Sequence, residues 1–210
     1  MQHADNKEHQ LVTTAGAPAG EHRGEPDAVP HPIFELLRGY RAQGQDETAD
    51  VERVRALAAD SGNPWSRSVP LHLTASALIV HPDSGQVLLR WHQRQQAWLQ
   101  VGGHGDPGES DALLIALREA REETGLADLV PWPDGSIRQV VIVSVPAAGT
   151  EPAHEHADVR FILATRTPDA IRAENPDAPL RWLPLREAHD LTSEANLREL
   201  LARVTQLLDS

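Results

Sequence analysis

Three glutamates, Glu119, Glu122 and Glu123, stand close together in a segment rich in good helix formers. At about 100° per residue, positions i, i+3 and i+4 lie on one side of a helix, so the three carboxylates can meet at one point. A hard cation such as Mg²⁺, which takes oxygen ligands and shares them with phosphate groups, would offset their repulsion. The spacing therefore predicts a magnesium and phosphate site, and the alternative is a solvated acidic helix face.

A glycine-rich turn precedes this helix and a glycine ends it. Residues 103–109 read Gly-His-Gly-Asp-Pro-Gly-Glu, and Asp-Pro-Gly favours a tight turn. Ser110 and Asp111 are typical of helix starts, whereas Gly125 is typical of a helix end. An apolar stripe at helical spacing, which must pack on the rest of the fold, consists of Leu113, Ala116, Leu117 and Ala120.

In order and spacing these residues resemble the Nudix hydrolase family. The pattern of that family is a glycine, five residues, a glutamate, seven residues, and then Arg-Glu-apolar-x-Glu-Glu-x-Gly-apolar. Gly103 to Glu109 matches the first part, and Arg118 to Leu126 matches the second. The intervening segment, Ser110 to Leu117, is one residue longer than the pattern. Either Glu109 is displaced around the helix start, or the loop absorbs the extra residue.

The resemblance implies a role for each matching residue. The implied metal ligands are the carboxylates of Glu119, Glu122 and Glu123 and the backbone carbonyl of Gly102. The cofactor would be Mg²⁺, with Mn²⁺ as a second choice. Glu119 and Glu123 are also catalytic candidates, together with Arg118, which would orient a carboxylate by charge-assisted hydrogen bonds.

The resemblance implies a general base that is either a glutamate of the motif or a carboxylate from a later loop. The later acidic cluster that precedes a strand is Glu151-Pro-Ala-His-Glu-His-Ala-Asp158. Glu155 is the predicted catalytic residue here, and Asp158 is its alternative; His154 and His156 would contact phosphate. Two other interpretations stay open. The segment is a polar loop that closes a hairpin, or His154 and His156 form a separate zinc site.

Three further residues near the glycine turn are predicted to bind the substrate: Arg90, Trp98 and His104. Arg90 would bind a distal phosphate and Trp98 would stack on a base. The alternatives are a solvated surface arginine and a core tryptophan.

Hydrophobic periodicity predicts the elements that position these residues. Residues 31–64 favour two helices, the second over 48–61. Strands are predicted over 71–80, 86–91, 98–101, 137–145, 159–165 and 181–183, and the longer of two C-terminal helices over 193–208. This order of strands and helices favours a mixed α/β layer structure. The family resemblance implies an α/β fold of the α+β type, with a Nudix-like mixed sheet sandwiched between helices. The expected organisation is a flexible tail over 1–30, a helical hairpin packed on the core over 31–64, and a Nudix hydrolase domain over 65–210.

Composition narrows the functional classes. The chain of 210 residues has 19 Lys and Arg against 31 Asp and Glu, a net charge of −12, which argues against nucleic-acid binding. The absence of cysteine excludes disulfides, thiolate zinc sites and the cysteine-dependent isopentenyl diphosphate isomerase, whose fold is related. No apolar run approaches the roughly 20 residues that span a bilayer, so a cytoplasmic protein without membrane contact is expected.

The resulting functional prediction is a Mg²⁺-dependent hydrolase. It would cleave a pyrophosphate linkage in a nucleoside diphosphate derivative or a nucleoside triphosphate, a small-molecule phosphoanhydride. The alternative is a non-catalytic Nudix domain that senses a nucleotide ligand. The resemblance is also compatible with a homodimer.

Overall fold

The computed structural model describes residues 31–60 and 62–209, so the predicted tail over 1–30 lies outside the described residues. The α-helices are α1 (Pro32–Arg38), α2 (Gly44–Asp60), α3 (Ala112–Thr124), α4 (Leu185–Leu191) and α5 (Ala195–Leu208). The strands are β1 (Leu71–His81), β2 (Gln86–His92), β3 (Ala97–Leu99), β4 (Val101–Gly103), β5 (Val130–Pro131), β6 (Gln139–Val145), β7 (His154–Ala164) and β8 (Leu180–Pro184).

The strands form one mixed sheet with β1 and β7 at its centre. These two strands run parallel, in a register from Leu71 beside Glu155 to Val80 beside Ala164. Strands β2 and β4 pair antiparallel with β1, whereas β5 and β6 pair antiparallel with β7. Strands β3 and β8 extend the sheet beyond β2. The predicted mixed sheet between helices is therefore confirmed.

Side chains alternate between the two faces of the central strands, and each face buries its own helices. Leu73, Ala75, Ala77 and Ile79 of β1 join a core cluster that includes residues of α1, α2 and α3. Leu78 and Val80 point to the other face, where they belong to a second cluster with α4 and α5. The sheet is thus covered on both sides, which accounts for the nearly continuous apolar run in β1.

Two elements begin earlier than the sequence predicts. Helix α2 begins at Gly44 instead of Thr48, with Asp46 and Glu47 in its first turn, where acidic side chains favour a helix N-terminus. Strand β7 begins at His154, so residues 154–158 belong to a strand and not to the loop expected there. The reason is the parallel pairing with β1, which already starts at Leu71.

The two N-terminal helices pack on the sheet. Ile33 and Leu37 of α1 and Val54 and Ala58 of α2 lie in the same core cluster as β1 and α3. Among the described helices, none is both long and apolar enough to cross a membrane.

Candidate metal centre

Helix α3 carries the site, and its ends are fixed by local interactions. The Asp111 side chain accepts hydrogen bonds from the backbone N–H groups of Leu113 and Leu114 and so caps the first turn. Gly125 ends the helix in the left-handed conformation, with φ 70°. Ile115 is fully buried, while Leu113 of the predicted stripe is only partly buried. The buried side of α3 packs against β1 and β4.

The three glutamates of α3 differ in their exposure. The Glu123 side chain is 12% exposed; one carboxylate oxygen accepts a hydrogen bond from the Gly102 N–H at 3.1 Å, and the other lies 3.2 Å from Nη1 of Arg90. The Glu119 side chain is 17% exposed, whereas that of Glu122 is 53% exposed. Two carboxylates therefore point toward the sheet and the third lies at the solvent edge.

The glycine pair of β4 makes room for these carboxylates. A Cβ atom at Gly103 would lie 2.6 Å from Cδ of Glu119, and one at Gly102 would lie 2.3 Å from Cβ of Ser76. Gly102 also has φ 150°, which side chains disfavour. Glycine at both positions thus lets the backbone of β4 approach β1 and the Glu119 carboxylate.

Arg118 connects the two halves of the sequence motif. Its Nε donates to Oε1 of Glu109 at 3.0 Å, and its Nη1 donates to Glu119 and Glu122, each at 3.0 Å. Its Nη2 donates to the backbone carbonyl of His104 at 2.9 Å and to Oε2 of Glu109 at 2.8 Å. The guanidinium therefore fixes the orientation of three carboxylates and of the glycine-rich loop.

Glu109 lies in the loop before α3, with Ser110 and Asp111 between it and the first helical residue. The Glu109 N–H donates to the Asp106 carbonyl at 2.9 Å, and the Glu109 carboxylate accepts from the Asp106 N–H at 2.8 Å. The Glu109 carboxylate therefore contacts Arg118 from the loop that precedes α3.

Burial disfavours the charged forms of the Glu119 and Glu123 carboxylates. It raises the pKa of Glu123 to about 7, against the opposing effects of Arg90 and of the Gly102 N–H. Burial also raises the pKa of Glu119, although Arg118 acts in the other direction. By contrast, the hydrogen bonds from Arg118 lower the pKa of Glu109. A cation beside Glu119 and Glu123 would favour their charged forms. The donor set, carboxylates and a backbone carbonyl, consists of oxygens and fits Mg²⁺.

The predicted general bases have other partners in the structure. The Glu155 carboxylate accepts hydrogen bonds from Arg53 of α2 at 2.5 and 3.2 Å, which lower its pKa. Asp158 is buried and accepts hydrogen bonds from Thr74, Ser76 and Arg160. Within the described residues, no hydrogen bond or ion pair joins Glu155 or Asp158 to α3. The assignment of Glu155 as a catalytic residue stays a prediction.

The three predicted substrate contacts lie in different surroundings. Arg90 pairs with Glu123 at the candidate metal centre. The Trp98 ring meets that of Trp91 edge to face, with ring centroids 5.6 Å apart, and packs partly buried on the second core. The ring of His104 points toward other histidine rings, among them that of His72. The sequence does not single out His72, because it meets the other histidines only through the pairing of the two central strands, and no local pattern specifies that pairing.

Comparison with known proteins identifies the family. The NUDIX domain model matches residues 70–204, more than half of the chain, and the chain therefore belongs to the Nudix family. The resemblance drawn from the motif, and with it the class of Nudix hydrolase, is confirmed. A search of curated proteins found no match.

Two solved structures illustrate the shared fold. A C. elegans Ap4A hydrolase in a binary complex superposes with a TM-score of 0.52 at 21% identity, covering 65% of this chain and 97% of that chain. An E. coli dihydroneopterin triphosphate pyrophosphohydrolase gives a TM-score of 0.51 at 18% identity, covering 66% of this chain and 96% of that chain.

Proposed function

We propose that the chain is a Mg²⁺-dependent hydrolase that cleaves a pyrophosphate linkage in a nucleoside diphosphate derivative or a nucleoside triphosphate. One observation carries this proposal: the carboxylates of Glu119 and Glu123 are buried beside the Gly102–Gly103 backbone, and Arg118 and Arg90 bind them directly. A helix face with a purely structural role would not require buried glutamates next to two obligatory glycines.

Each residue of the site has a distinct task in this proposal. The carboxylates of Glu119, Glu122 and Glu123 and the carbonyl of Gly102 would hold Mg²⁺, which supplies charge neutralisation of the phosphate chain when bound. Arg118 holds Glu119 and Glu122 in position through its hydrogen bonds at 3.0 Å. These carboxylates are thereby oriented before any ligand arrives, which reduces the cost of ordering them.

Arg90 is the side chain best placed to meet a substrate phosphate. Its Nη1 lies 3.2 Å from Glu123, and the side chain is 17% exposed. A guanidinium is suited to phosphate because its donors match two phosphate oxygens at once. Because the net charge of the chain is −12, a phosphate chain needs such a local positive group or its own cation to approach.

The substrate class is supported by the names of structures with the same fold. One is an Ap4A hydrolase and the other is a dihydroneopterin triphosphate pyrophosphohydrolase. Both names describe compounds with phosphoanhydride linkages. Since a fold does not fix a substrate, the choice among such compounds must come from direct assay.

The test is a panel of nucleoside diphosphate sugars, dinucleoside polyphosphates and nucleoside triphosphates, incubated with Mg²⁺ and analysed for released products. We expect turnover of at least one class, abolished by chelation and reduced at least about 100-fold in Glu123→Gln. Glu187→Gln, an exposed position in α4, is the matched control. No turnover with any class, combined with nucleotide binding that Mg²⁺ does not affect, would instead support the ligand-sensing alternative.

A further inference from the structure

Four histidine rings from three segments meet on one side of the central strands. His72 lies in β1, His154 and His156 lie in β7, and His104 directly follows β4. His72 is in register with His156, and the alternation of β7 places His154 on the same face. The ligand atoms of His72, His154 and His156 lie within 4.8 Å of one another.

The Nε2 atoms of these rings point at one another. Nε2 of His104 lies 3.1 Å from Nε2 of His72 and 3.2 Å from Nε2 of His156. Nε2 of His154 lies 3.0 Å from Nε2 of His156. These contacts link the four Nε2 atoms in series, and the ligand atoms of three of the residues, His72, His154 and His156, form a compact group.

Hydrogen bonds between the rings cannot account for all of these contacts. Each Nε2 has one in-plane position, which holds either a hydrogen or a lone pair, so it serves one hydrogen bond. His104 and His156 each have two Nε2 neighbours, so each can make a linear hydrogen bond with only one of them.

The other side of two rings is fixed by the backbone. Nδ1 of His72 lies 3.0 Å from the carbonyl of Val69, and Nδ1 of His154 lies 2.9 Å from the carbonyl of Pro152. A carbonyl only accepts, so these Nδ1 atoms carry the hydrogens, and in the neutral rings both Nε2 lone pairs point inward. With lone pairs at His72 and His154, one contact along the series from His72 through His104 and His156 to His154 must bring two hydrogens or two lone pairs face to face. A histidine that donates Nδ1–H to a carbonyl and presents Nε2 is the usual arrangement of a metal ligand.

We propose that His72, His104, His154 and His156 bind one transition-metal dication, Zn²⁺, through their four Nε2 atoms. A tetrahedral zinc with Zn–N bonds of 2.0–2.1 Å separates its nitrogens by about 3.3–3.4 Å. Three of the six nitrogen separations, 3.0, 3.1 and 3.2 Å, lie a few tenths of an ångström below that value, and the ligand atoms of His72, His154 and His156 are within 4.8 Å of one another. One cation would use all four lone pairs and remove the conflict between the rings.

This histidine site is chemically distinct from the glutamate centre. Imidazole nitrogen suits Zn²⁺, whereas Mg²⁺ requires oxygen. Zn²⁺ would therefore bind the histidines and Mg²⁺ would bind the carboxylates. Three charged side chains affect the cluster. The positive charge of Arg67 acts against a cation, whereas Asp158 and Glu151, the latter with Oε1 3.7 Å from Nε2 of His154, favour it.

The site would anchor the glycine-rich loop to the sheet. The ring of His104 would be bound by the zinc, while its backbone carbonyl accepts a hydrogen bond from Arg118 at 2.9 Å. Zinc would therefore tie the start of this loop to β1 and β7, and its role would be structural.

The experiment uses the full chain with Glu119→Gln and Glu123→Gln, which removes the carboxylate centre as a competing site for zinc. After dialysis against a chelator, this protein is titrated with Zn²⁺. We expect one bound equivalent and an increase in Tm of about 5–10 °C at zinc concentrations near 100 times the Kd. An equal concentration of Mg²⁺ should leave Tm unchanged. Zinc binding should weaken at least about tenfold when His72→Gln or His156→Gln is added.

His189→Gln, at an exposed histidine in α4, is the matched control and should bind zinc like its parent. Failure of the parent to bind zinc, or unchanged binding in the His72 and His156 variants, would overturn the proposal. If those variants do not fold, Co²⁺ replaces Zn²⁺ in the parent. The intense visible absorption of tetrahedral Co²⁺ supports the site, and the weak absorption of octahedral Co²⁺ overturns it. None of these measurements depends on hydrolytic activity.

Discussion

The guanidinium of Arg118 shows how one side chain can organise the carboxylates around it. It donates to Glu109, Glu119, Glu122 and the carbonyl of His104. The geometry requires the planar fork of arginine, because several donors must point in fixed directions. A lysine at position 118 would keep the positive charge but could not donate hydrogen bonds in all of these directions.

Arg118→Lys should therefore reduce turnover by about 10–100-fold, as is usual when a residue that orients metal ligands is changed. The measurement is kcat and KM at saturating Mg²⁺, together with Mg²⁺ affinity by calorimetry. Arg121→Lys, an exposed position on the same helix, is the control and should behave as wild type. Equal activity of both variants would mean that Arg118 does not position the carboxylates.

Gly103 offers a second test, because its missing side chain makes the space for Glu119. In Gly103→Ala the new Cβ would lie 2.6 Å from Cδ of Glu119 and must displace that carboxylate. We expect Mg²⁺ affinity to fall at least about tenfold while the far-ultraviolet circular dichroism spectrum is retained. The control is Gly39→Ala, where a Cβ meets nothing within 4 Å. Unchanged Mg²⁺ affinity in Gly103→Ala would place the ion elsewhere.

At the level of elements, a buried ion pair links α2 to α5. Nη2 of Arg203 lies 2.9 Å from Oε2 of Glu47, whose carboxylate also accepts hydrogen bonds from Tyr40 and from the Val140 N–H. Burial alone would raise the pKa of Glu47, but the hydrogen bonds, that from Arg203 first, outweigh it and lower the pKa below its ordinary value of 4.5. The pair therefore stabilises the fold above pH 4.5, and this contribution is lost as the pH falls through the pKa of the folded state.

Glu47→Gln should lower the free energy of unfolding by about 3 kcal/mol near pH 7, because Arg203 stays buried without its charged partner. The difference from wild type should shrink as the pH falls below 4.5 and through the lowered pKa of the folded state, because Glu47 of the wild type then also becomes neutral. Urea unfolding over a series of pH values from 7 downward measures this. Glu52→Gln, which removes an exposed pair with Arg55, should change the unfolding free energy by less than about 1 kcal/mol. A pH-independent difference for Glu47→Gln would exclude titration of this carboxylate as the cause.

The elements that the sequence predicts well are those fixed by local interactions. Helix α3 has its cap at Asp111, its stop at Gly125 and its carboxylates at helical spacing, all of which are visible in the sequence. The start of β7 is not visible in this way, because its first residues become a strand through pairing with β1, far away in the chain. The pairing of Glu155 with Arg53 and the meeting of His72 with His156 are non-local for the same reason.

Over the whole molecule, the N-terminal helices and the Nudix domain share one core. Val54 of α2 is fully buried, in a cluster that also contains residues of β1, β7 and α3. Periodicity predicted the alternation of helices and strands because the burial pattern of each element is local, and the motif resemblance implied the Nudix-like sheet. The division of the chain into a helical hairpin packed on the core over 31–64 and a Nudix hydrolase domain over 65–210 stays a prediction.

Val54→Ala should therefore destabilise the entire domain by about 2 kcal/mol and shift one cooperative transition. The measurement is thermal unfolding followed both by tryptophan fluorescence and by circular dichroism. The control is Val130→Ala in β5, where the side chain is exposed, and its effect should stay below about 0.5 kcal/mol. Two separate transitions, with only one of them shifted by Val54→Ala, would show that the hairpin unfolds independently.

The alternating faces of β7 limit how the length of this chain can vary. His154, His156, Asp158 and Arg160 share one face, while Ala157, Val159 and Phe161 fill the core on the other. A single inserted or deleted residue that shifts the register of this strand would exchange the two sets. Asp158 and Arg160 would then face the apolar core, and the apolar side chains would meet the polar groups that now bind those two residues. The register with β1 therefore restricts changes of length within His154–Ala164 more strongly than in the connection 146–153.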